Sequence, residues 1–559
     1  MRVRTVAAGV ALLVLALVAG FVALRALGTA GPAAGSGAPT AALAALAAPR
    51  FLEESQAAGL AHAYQGGFEF YVGGGLATFD CNGDALPELY FAGGTAPSAL
   101  FVNRSELGGR LRFAKIPGTA TDLEAVTGAY PLDVDGDGHV DLAVLRRGEN
   151  ALLRGLGKCV FERANELWGF DGGDDWSTAF SAKWDRGSSW PTLSIGNYLE
   201  PDRPAGQTTC TDSQLLPPTS SGSSFGAPVA LTPGWCTLSM LFTDWDRSGR
   251  RDLRVSNDRH YYSDYSDGAE QLWRMAPGEA PREYTDADGW KRLRVFGMGI
   301  GDYDVTGDGY PDYYLTSQAD NKLQALAGDA TAPDYEDIAL RRGVTAQRPV
   351  VGDTSMPSTA WHAEFQDLNN DGFVDLFVAK GNVEAMPDHA ARDPSNLFLG
   401  QPDGSFVERS QEAGIVDYGR ARGASLADLN RDGLLDLVVV RRVENVLAYR
   451  NLGSGTGTQT APMGNWLGID LEWDDANRDA IGSWLEVRVG EHVMQRELTI
   501  GGGHVSGELG PVHFGLGTSG NAELRVTWPD GTRSNWLSLA ANRTFVISPD
   551  SPPQEASAE

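Results

Sequence analysis

The chain of 559 residues is poor in the side chains on which most redox and hydrolytic chemistry depends. It has four cysteines, and no two stand as C-x-x-C, which excludes a thioredoxin-like redox motif and a cysteine-rich zinc site. Its eight histidines include no H-E-x-x-H pair, and neither G-x-S-x-G nor a P-loop occurs. Bases are scarce: 45 Lys and Arg stand against 73 Asp and Glu, a formal net charge of -28. So acidic a surface repels polyanions, which excludes nucleic acid, and anionic lipid for the soluble part. Long amphipathic helical patterns are also missing between residues 50 and 455. What is plentiful is glycine, 69 residues set among short apolar runs, the composition of many turns and short strands.

One long apolar run exists. Arg2 and Arg4 precede Val6 to Leu24, which carries no charge. As a helix at about 1.5 Å per residue it spans roughly 28 Å, close to a bilayer core. No A-x-A site follows at once, so an uncleaved anchor with its N-terminus in the cytoplasm is favoured over a cleaved signal peptide. Both readings give residues 1–27 a targeting role, make the membrane a partner only through this segment, and put the remainder outside the cytoplasm, in a periplasm or at a cell surface. Residues 28–49, rich in Ala, Gly and Pro, read as a flexible linker. In an oxidising compartment the four cysteines allow three full pairings. Cys210 and Cys236 bracket a Pro/Ser/Gly-rich insertion at 201–235 and form the favoured pair; Cys81 and Cys159 are left paired or free.

One motif recurs: an apolar strand end, a short acidic turn, then Asp and a second apolar run. It stands as DCNGDALPELYF, DVDGDGHVDLAVL, DWDRSGRRDLRV, DVTGDGYPDYYL, DLNNDGFVDLFV and DLNRDGLLDLVVV. A further copy, WDRGSSWPTLSIGNYL from Trp184, keeps the frame but has lost most acids. The seven copies are spaced 51 to 63 residues apart. Each continues into an Asn-Leu or Gln-Leu strand and then a strand with an early aromatic, which is four strands per unit. The fold expected is all-β: a seven-bladed β-propeller over residues 50–455. FLEESQAAGL from Phe51 nearly repeats FVERSQEAGI from Phe406, where the segment ends a unit. The last unit lacks it, so the N-terminal copy is expected to close the ring as the outer strand of the seventh blade. Residues 465–548 alternate in short strands and read as a small β-sandwich-like domain, with a disordered tail at 549–559.

The acidic turns carry the chemistry. In Asp133, Asp135, Asp137 and Asp141, side chains at positions 1, 3, 5 and 9 converge with the carbonyl of position 7, which is His139, its imidazole pointing to solvent. Six or more hard oxygens in a flexible loop suit calcium, and an all-oxygen set argues against zinc or copper. The same register gives Asp80, Asn82, Asp84 and Glu88; Asp244, Asp246, Ser248 and Asp252; Asp304, Thr306, Asp308 and Asp312; Asp367, Asn369, Asp371 and Asp375; and Asp428, Asn430, Asp432 and Asp436. Pro87 and Arg250 make the turns holding Glu88 and Ser248 the weakest, and the Trp184 turn is expected to be empty. Carboxylates packed within about 5 Å repel strongly without a counter-ion. Several structural Ca²⁺ ions are therefore the cofactor expected.

These turns resemble FG-GAP or VCBS repeats, known from integrin α-subunit propellers. NRDAIGSWLEVRVG, GGGHVSGELGPVHFGLG and LRVTWPDGTRSNW resemble, in order, the segments of an ASPIC/UnbV domain. The combination is similar to the cartilage acidic protein family, which implies a secreted or surface calcium-binding protein and supplies no agreed activity. Gly515 to Gly520 formally matches G-x-G-x-x-G, but a strand follows it, so it is no dinucleotide site. His504 and His513, near one turn of the C-terminal domain, read as structural, and His260 with Tyr261 and Tyr262 reads as a blade cap or a ligand-contact loop. The function expected is binding of a protein or glycan partner, not catalysis. The alternative is an enzyme acting on polysaccharide, with its site near the central channel.

Overall fold

The strands on either side of each acidic turn are buried almost without alternation, because both faces of the sheet they enter are covered by neighbouring sheets. Val126–Leu132 is buried at every position, and Asp141–Arg146 at every position but the last. In the computed structural model these strands form seven sheets among the described residues. Those residues are 43–559 except 118–119, 201–208, 259–267, 350, 352–355, 385, 387, 474–475 and 557–559. The N-terminal apolar segment, most of the linker and the loop with His260, Tyr261 and Tyr262 lie outside them. Among the described residues no helix is long and apolar enough to cross a membrane.

The inner strands are Leu76–Phe79, Val126–Leu132, Ser177–Lys183, Thr237–Thr243, Gly297–Tyr303, Ala360–Gln366 and Ala421–Ala427. Each packs on the next and the last returns to the first, which is the closed ring of a β-propeller. In the seventh sheet the order runs from Ala421–Ala427 through Asp436–Arg441 and Leu447–Asn451 to Phe51–Glu53. Phe51 pairs with Asn451 and Glu53 with Tyr449, so the two ends of the ring share one sheet and leave no open seam. Two disulfides are present, Cys81–Cys159 and Cys210–Cys236. The first ties the acidic turn of the first sheet to the outer hairpin of the second. The second fastens the insertion, which is not an appendage: Ser213–Leu216 and Val229–Leu231 within it are the two outer strands of the third sheet.

Two further sheets make the C-terminal domain. One holds Val512–Gly517, Asn465–Leu471, Arg543–Ile547 and Gln554–Glu555, the other His492–Glu497, Trp484–Val489, Asn521–Thr527 and Leu537–Ala540. Leu485, Val487, Leu516, Leu524 and Val526 fill the space between them. The tail expected to be disordered is ordered in part, since Gln554 pairs with Val546 and Glu555 with Phe545. Arg543–Ile547 pairs with Asn465–Leu471 along one edge, and the tail takes up backbone groups of its other edge. The end of the expected linker is docked as well: the Leu46 amide donates to Asp371 Oδ2 at 2.8 Å.

A feature unforeseen in the sequence joins the two domains. Between its sandwich strands the chain leaves the C-terminal domain and passes through the axis of the ring. Gly507–Leu509 adds a parallel fifth strand to the first sheet, opposite Ala77 to Phe79. Ser506 bridges to Ala129, Ile500 to Ala182, Gly501 to Leu241 and Gly503 to Ile300. This strap is admitted by missing side chains. A Cβ on Gly75 would lie 1.7 Å, and one on Gly128 2.2 Å, from the Val505 carbonyl oxygen.

Candidate metal centres and an axial aromatic pocket

All six acidic turns are built alike. The Asp or equivalent at position 1 accepts the amide of position 6: Ala85 on Asp80 at 2.6 Å, Gly138 on Asp133 at 2.9 Å, Gly249 on Asp244 at 3.0 Å, Gly309 on Asp304 at 2.9 Å, Gly372 on Asp367 at 2.7 Å and Gly433 on Asp428 at 2.8 Å. The acid at position 9 opens the second strand and in most sheets accepts an amide from the third, as Asp141 does from Gly155 and Asp436 from Asn451, both at 2.8 Å. In those sheets the turn thus fixes three strands. His139 is exposed, as the register requires.

Burial sets the electrostatics. It pushes the carboxyls of Asp133, Asp244 and Asp304 up to about 6, Asp428 to about 7 and Glu88 to about 8. Neighbouring carboxylates add to the shift, Asp137 on Asp133 and Asp432 on Asp428 among them. Burial also raises Asp141, Asp312, Asp367, Asp375 and Asp436 well above the ordinary carboxylate range. In the second sheet, oxygens of Asp133, Asp135 and Asp141 lie within 4.8 Å of one another, and Asp135 Oδ1 is buried with no hydrogen-bond partner. Three converging carboxylates with an oxygen left over fit a hard divalent cation. In the fifth, sixth and seventh turns the acids share the same frame with Thr306, Asn369 and Asn430. The Asn369 and Asn430 amides donate to Asp371 at 3.1 Å and Asp432 at 3.2 Å, and their carbonyl oxygens accept the Asp371 and Asp432 backbone amides at 3.1 Å and 3.3 Å, each with a second lone pair left for a ligand role. In the first, Asn82 donates to buried Glu88 at 2.9 Å.

Two turns differ, and the sequence pattern missed one of the reasons. Arg250, at position 7 of its own turn, folds its guanidinium back onto Asp252 (2.9 Å) and Asp246 (3.3 Å). Trp245 Nε1 and Tyr284 Oη also donate to Asp252 Oδ2. The turn holding Asp244, Asp246, Ser248 and Asp252 carries its own cation. Arg154, from the third strand of the second sheet, reaches Asp135 and Asp137, both at 2.8 Å. Its place in an outer strand gave no signal in the turn motif. In the degenerate third turn Lys183 pairs with Asp185 at 2.5 Å.

The C-terminal domain lies on this face. His513 shares a 2.6 Å hydrogen bond with Asn370 Oδ1, Gln495 approaches Asp304 at 3.4 Å, and the Arg247 guanidinium covers the Trp484 ring at 3.8 Å. His504 and His513 therefore do not form one site. His513 anchors the domain, while His504 is at the tip of the strap, inside the ring against Trp361 at 5.0 Å.

The opposite ends of the same strands meet at the other mouth of the axis, around a small pocket lined by Phe68, Tyr71, Trp176, Tyr198, Trp361 and Asp258, with Met298 and Met386. Trp176 directly precedes an inner strand, and Tyr198 and Asp258 directly follow second strands. These positions are regular enough to be read from the repeat once its register is known. The strap closes the floor, where Gly73 N approaches His504 Nε2 at 3.4 Å.

Residues 473–554 match the ASPIC and UnbV family model, and residues 367–439 match the FG-GAP-like repeat model. Among curated proteins the chain is similar to Cartilage acidic protein 1 of Xenopus tropicalis, 24% identical over 36% of this chain, and of Mus musculus, 26% identical over 36%. It spans 30% of the length of each. These matches bear out the resemblance read from the repeats and the C-terminal segments. Among solved structures it is similar to BBS1N in complex with ARL6DN, 11% identical, covering 73% of this chain and 99% of that one with a TM-score of 0.40. The Dos1 propeller is similar at 11% identity, covering 71% and 96%, with a TM-score of 0.33.

Proposed function

We propose that this chain, with FG-GAP-like repeats and an ASPIC/UnbV domain, is an extracytoplasmic calcium-stiffened propeller that binds a protein or glycan partner on the face away from its C-terminal domain. The observation that carries the reading is the division of the two faces. One face and the axis are filled by the chain's own C-terminal domain and strap, while the other ends in an open pocket walled by aromatic rings. The strap running through the axis favours the binding reading over that of an enzyme acting on polysaccharide near the central channel. Two disulfides and the likeness to cartilage acidic proteins support a location outside the cytoplasm.

In this reading Ca²⁺ is held by Asp80, Asn82, Asp84 and Glu88; by Asp133, Asp135, Asp137 and Asp141 with the His139 carbonyl; and by the sets beginning at Asp304, Asp367 and Asp428. The Asp244 set is left to Arg250. When bound, the ion supplies positive charge and nothing chemical beyond it. The turns hold the strands, and the ion offsets the repulsion that burial imposes on them. Extracellular modules of this kind bind calcium at about 10⁻⁴ to 10⁻³ M. Chelation is expected to lower the melting temperature markedly, by direct calorimetry with and without chelator. An unchanged curve removes calcium from the proposal. Capture from a membrane fraction, with and without calcium, tests the binding role. It is expected to be lost with chelator and with Trp176→Ala.

A further inference from the structure

The sixth sheet encloses an ion pair completely. Lys380 Nζ lies 3.0 Å from Asp393 Oδ1, and both side chains are 0% exposed. Lysine is almost never buried so fully, and an ion pair taken out of water gains little over an apolar pair of the same size. A third group stands against the amine: Nζ donates to Asn396 Oδ1 at 3.0 Å, and Asn396 is 1% exposed. The amide and the acid are each fixed from behind. Asn396 Nδ2 donates to Glu408 Oε1 at 3.2 Å, and that oxygen also accepts the Ser410 amide at 3.1 Å. The Thr359 amide donates to Asp393 Oδ2 at 2.7 Å, which leaves Oδ1 to the amine.

The other sheets do not repeat this arrangement. Lys380 ends the second strand, Asp375–Lys380, and Asn396 opens the third, Asn396–Gly400. Val378 pairs with Asn396, and Lys380, two residues on, projects from the same face as both. The same two places hold Arg146 and Ala151 in the second sheet, Asn257 and Gln271 in the fourth, Ser317 and Lys322 in the fifth, and Arg441 and Leu447 in the seventh. The blade therefore needs neither an amine nor an amide there, and the sixth sheet sets one against the other. Burial favours the uncharged form of both ion-pair members: it lowers the Lys380 ammonium and raises the Asp393 carboxyl, against the pull of each on the other. A neutral lysine amine is a nucleophile, and enclosure beside a fixed amide supplies the orientation an acyl transfer needs.

We propose that Lys380 and Asn396 join in an isopeptide bond that the chain forms on itself, with Asp393 carrying the protons. Nζ hands one proton to Asp393 Oδ1 and, with the freed electron pair, forms a bond to Asn396 Cγ. Asp393 passes that proton to Nδ2 and takes a second from Nζ. The Cγ–Nδ2 bond breaks and ammonia leaves, with no oxidant or co-reactant. The product staples the second strand of the sixth sheet to its third and closes the chain between them, residues 381–395, into a ring. It is independent of calcium and of any partner.

The test is a tryptic peptide map of the full chain with both disulfides reduced and alkylated. Trypsin cuts after Arg342, Arg392 and Arg409, and it does not cut at a lysine whose amine is acylated. One branched peptide of residues 343–392 and 393–409 is expected in most chains, lighter by one ammonia than the two peptides together, with no cleavage after Lys380. Peptides ending at Lys380, together with an unbranched 393–409 of unaltered mass, would overturn the proposal. Lys380→Arg and Asn396→Ala are each expected to abolish the branch, and a branch that survives either change overturns the pairing. Asp393→Asn is expected to leave amine and amide unjoined; a branch formed as fully in that variant overturns the role of Asp393. The map of the unaltered chain decides the bond by itself, whether or not a variant folds.

Discussion

Arg250 illustrates how one side chain changes the meaning of a motif. At position 7 of its turn only a carbonyl is needed, so the side chain is free to fold inward, and its charge takes the place of an ion between Asp246 and Asp252. Arg250→Ala leaves Asp252 buried without its cation. A buried pair costs several kcal/mol to break, and because Arg250 is 25% exposed the loss expected in chelator is about 2 kcal/mol. Calcium is expected to restore that loss, and equilibrium dialysis to find one more ion per chain. Glu508 on the strap makes a second residue-scale case. Burial first, and the neighbouring Glu364 next, push it up to about 8, while burial raises Glu364 to about 7 and lowers His362 to about 4. Glu508 Oε1 accepts the Leu426 amide at 2.9 Å, and the charge of Arg496 acts on Glu364 in the opposite sense to burial. A carboxyl whose folded value is raised adds stability that is complete below about 4.5 and is lost as pH climbs through the folded value. With calcium saturating the turns, the melting temperature is expected to fall between about pH 4.5 and 8. Glu508→Gln is expected to flatten that slope; an identical slope would place the titration elsewhere.

At the scale of elements, the sheets were legible because each acidic turn marks the joint between the first two strands of a blade. The closing strand was legible too, from the likeness of the Phe51 and Phe406 segments. The third sheet was harder: its turn lost its acids, and its outer strands come from a stretch whose Pro, Ser and Gly content signals a loop. Register with Thr192–Asn197 overrides that local preference. The Cys81–Cys159 bridge closes a separation of 78 residues between the first and second sheets. By the chain-entropy account such a loop contributes about 4 kcal/mol. Replacing both cysteines by serine is expected to lower stability by about that amount in denaturant titration, and by less for Cys210 and Cys236, whose separation is 26.

Taken whole, the molecule is held together by its strap. Ile500 and Val505 are buried in the ring, and their removal would leave the axis lined by unfilled apolar strands. Propeller and C-terminal domain are therefore expected to melt in a single transition. Gly128→Val puts a side chain where the Val505 carbonyl passes, 2.2 Å from the new Cβ. The strap is then expected to be expelled, giving two calorimetric transitions and new protease cleavage between residues 452 and 465. One transition with unchanged protection would show the strap to be dispensable for docking. Expulsion also opens the floor beneath the axial pocket, so tryptophan fluorescence is expected to change with it.

The sequence by itself determined the class of fold, the number of repeated turns, the closing of the ring and the oxygen-rich composition of its acidic loops. These are local matters: spacing, alternation and charge within a dozen residues decide them. It did not determine that GGGHVSGELG would run through the axis, that Arg154 would reach the second turn, or that Trp176, Tyr198 and Asp258 would share one corner. Those depend on where chain segments hundreds of residues apart are brought by ring closure, and no periodicity records such a meeting. The glycines that let the strap pass look, in one dimension, like any others; only the backbone lying against them gives their lack of a side chain its purpose.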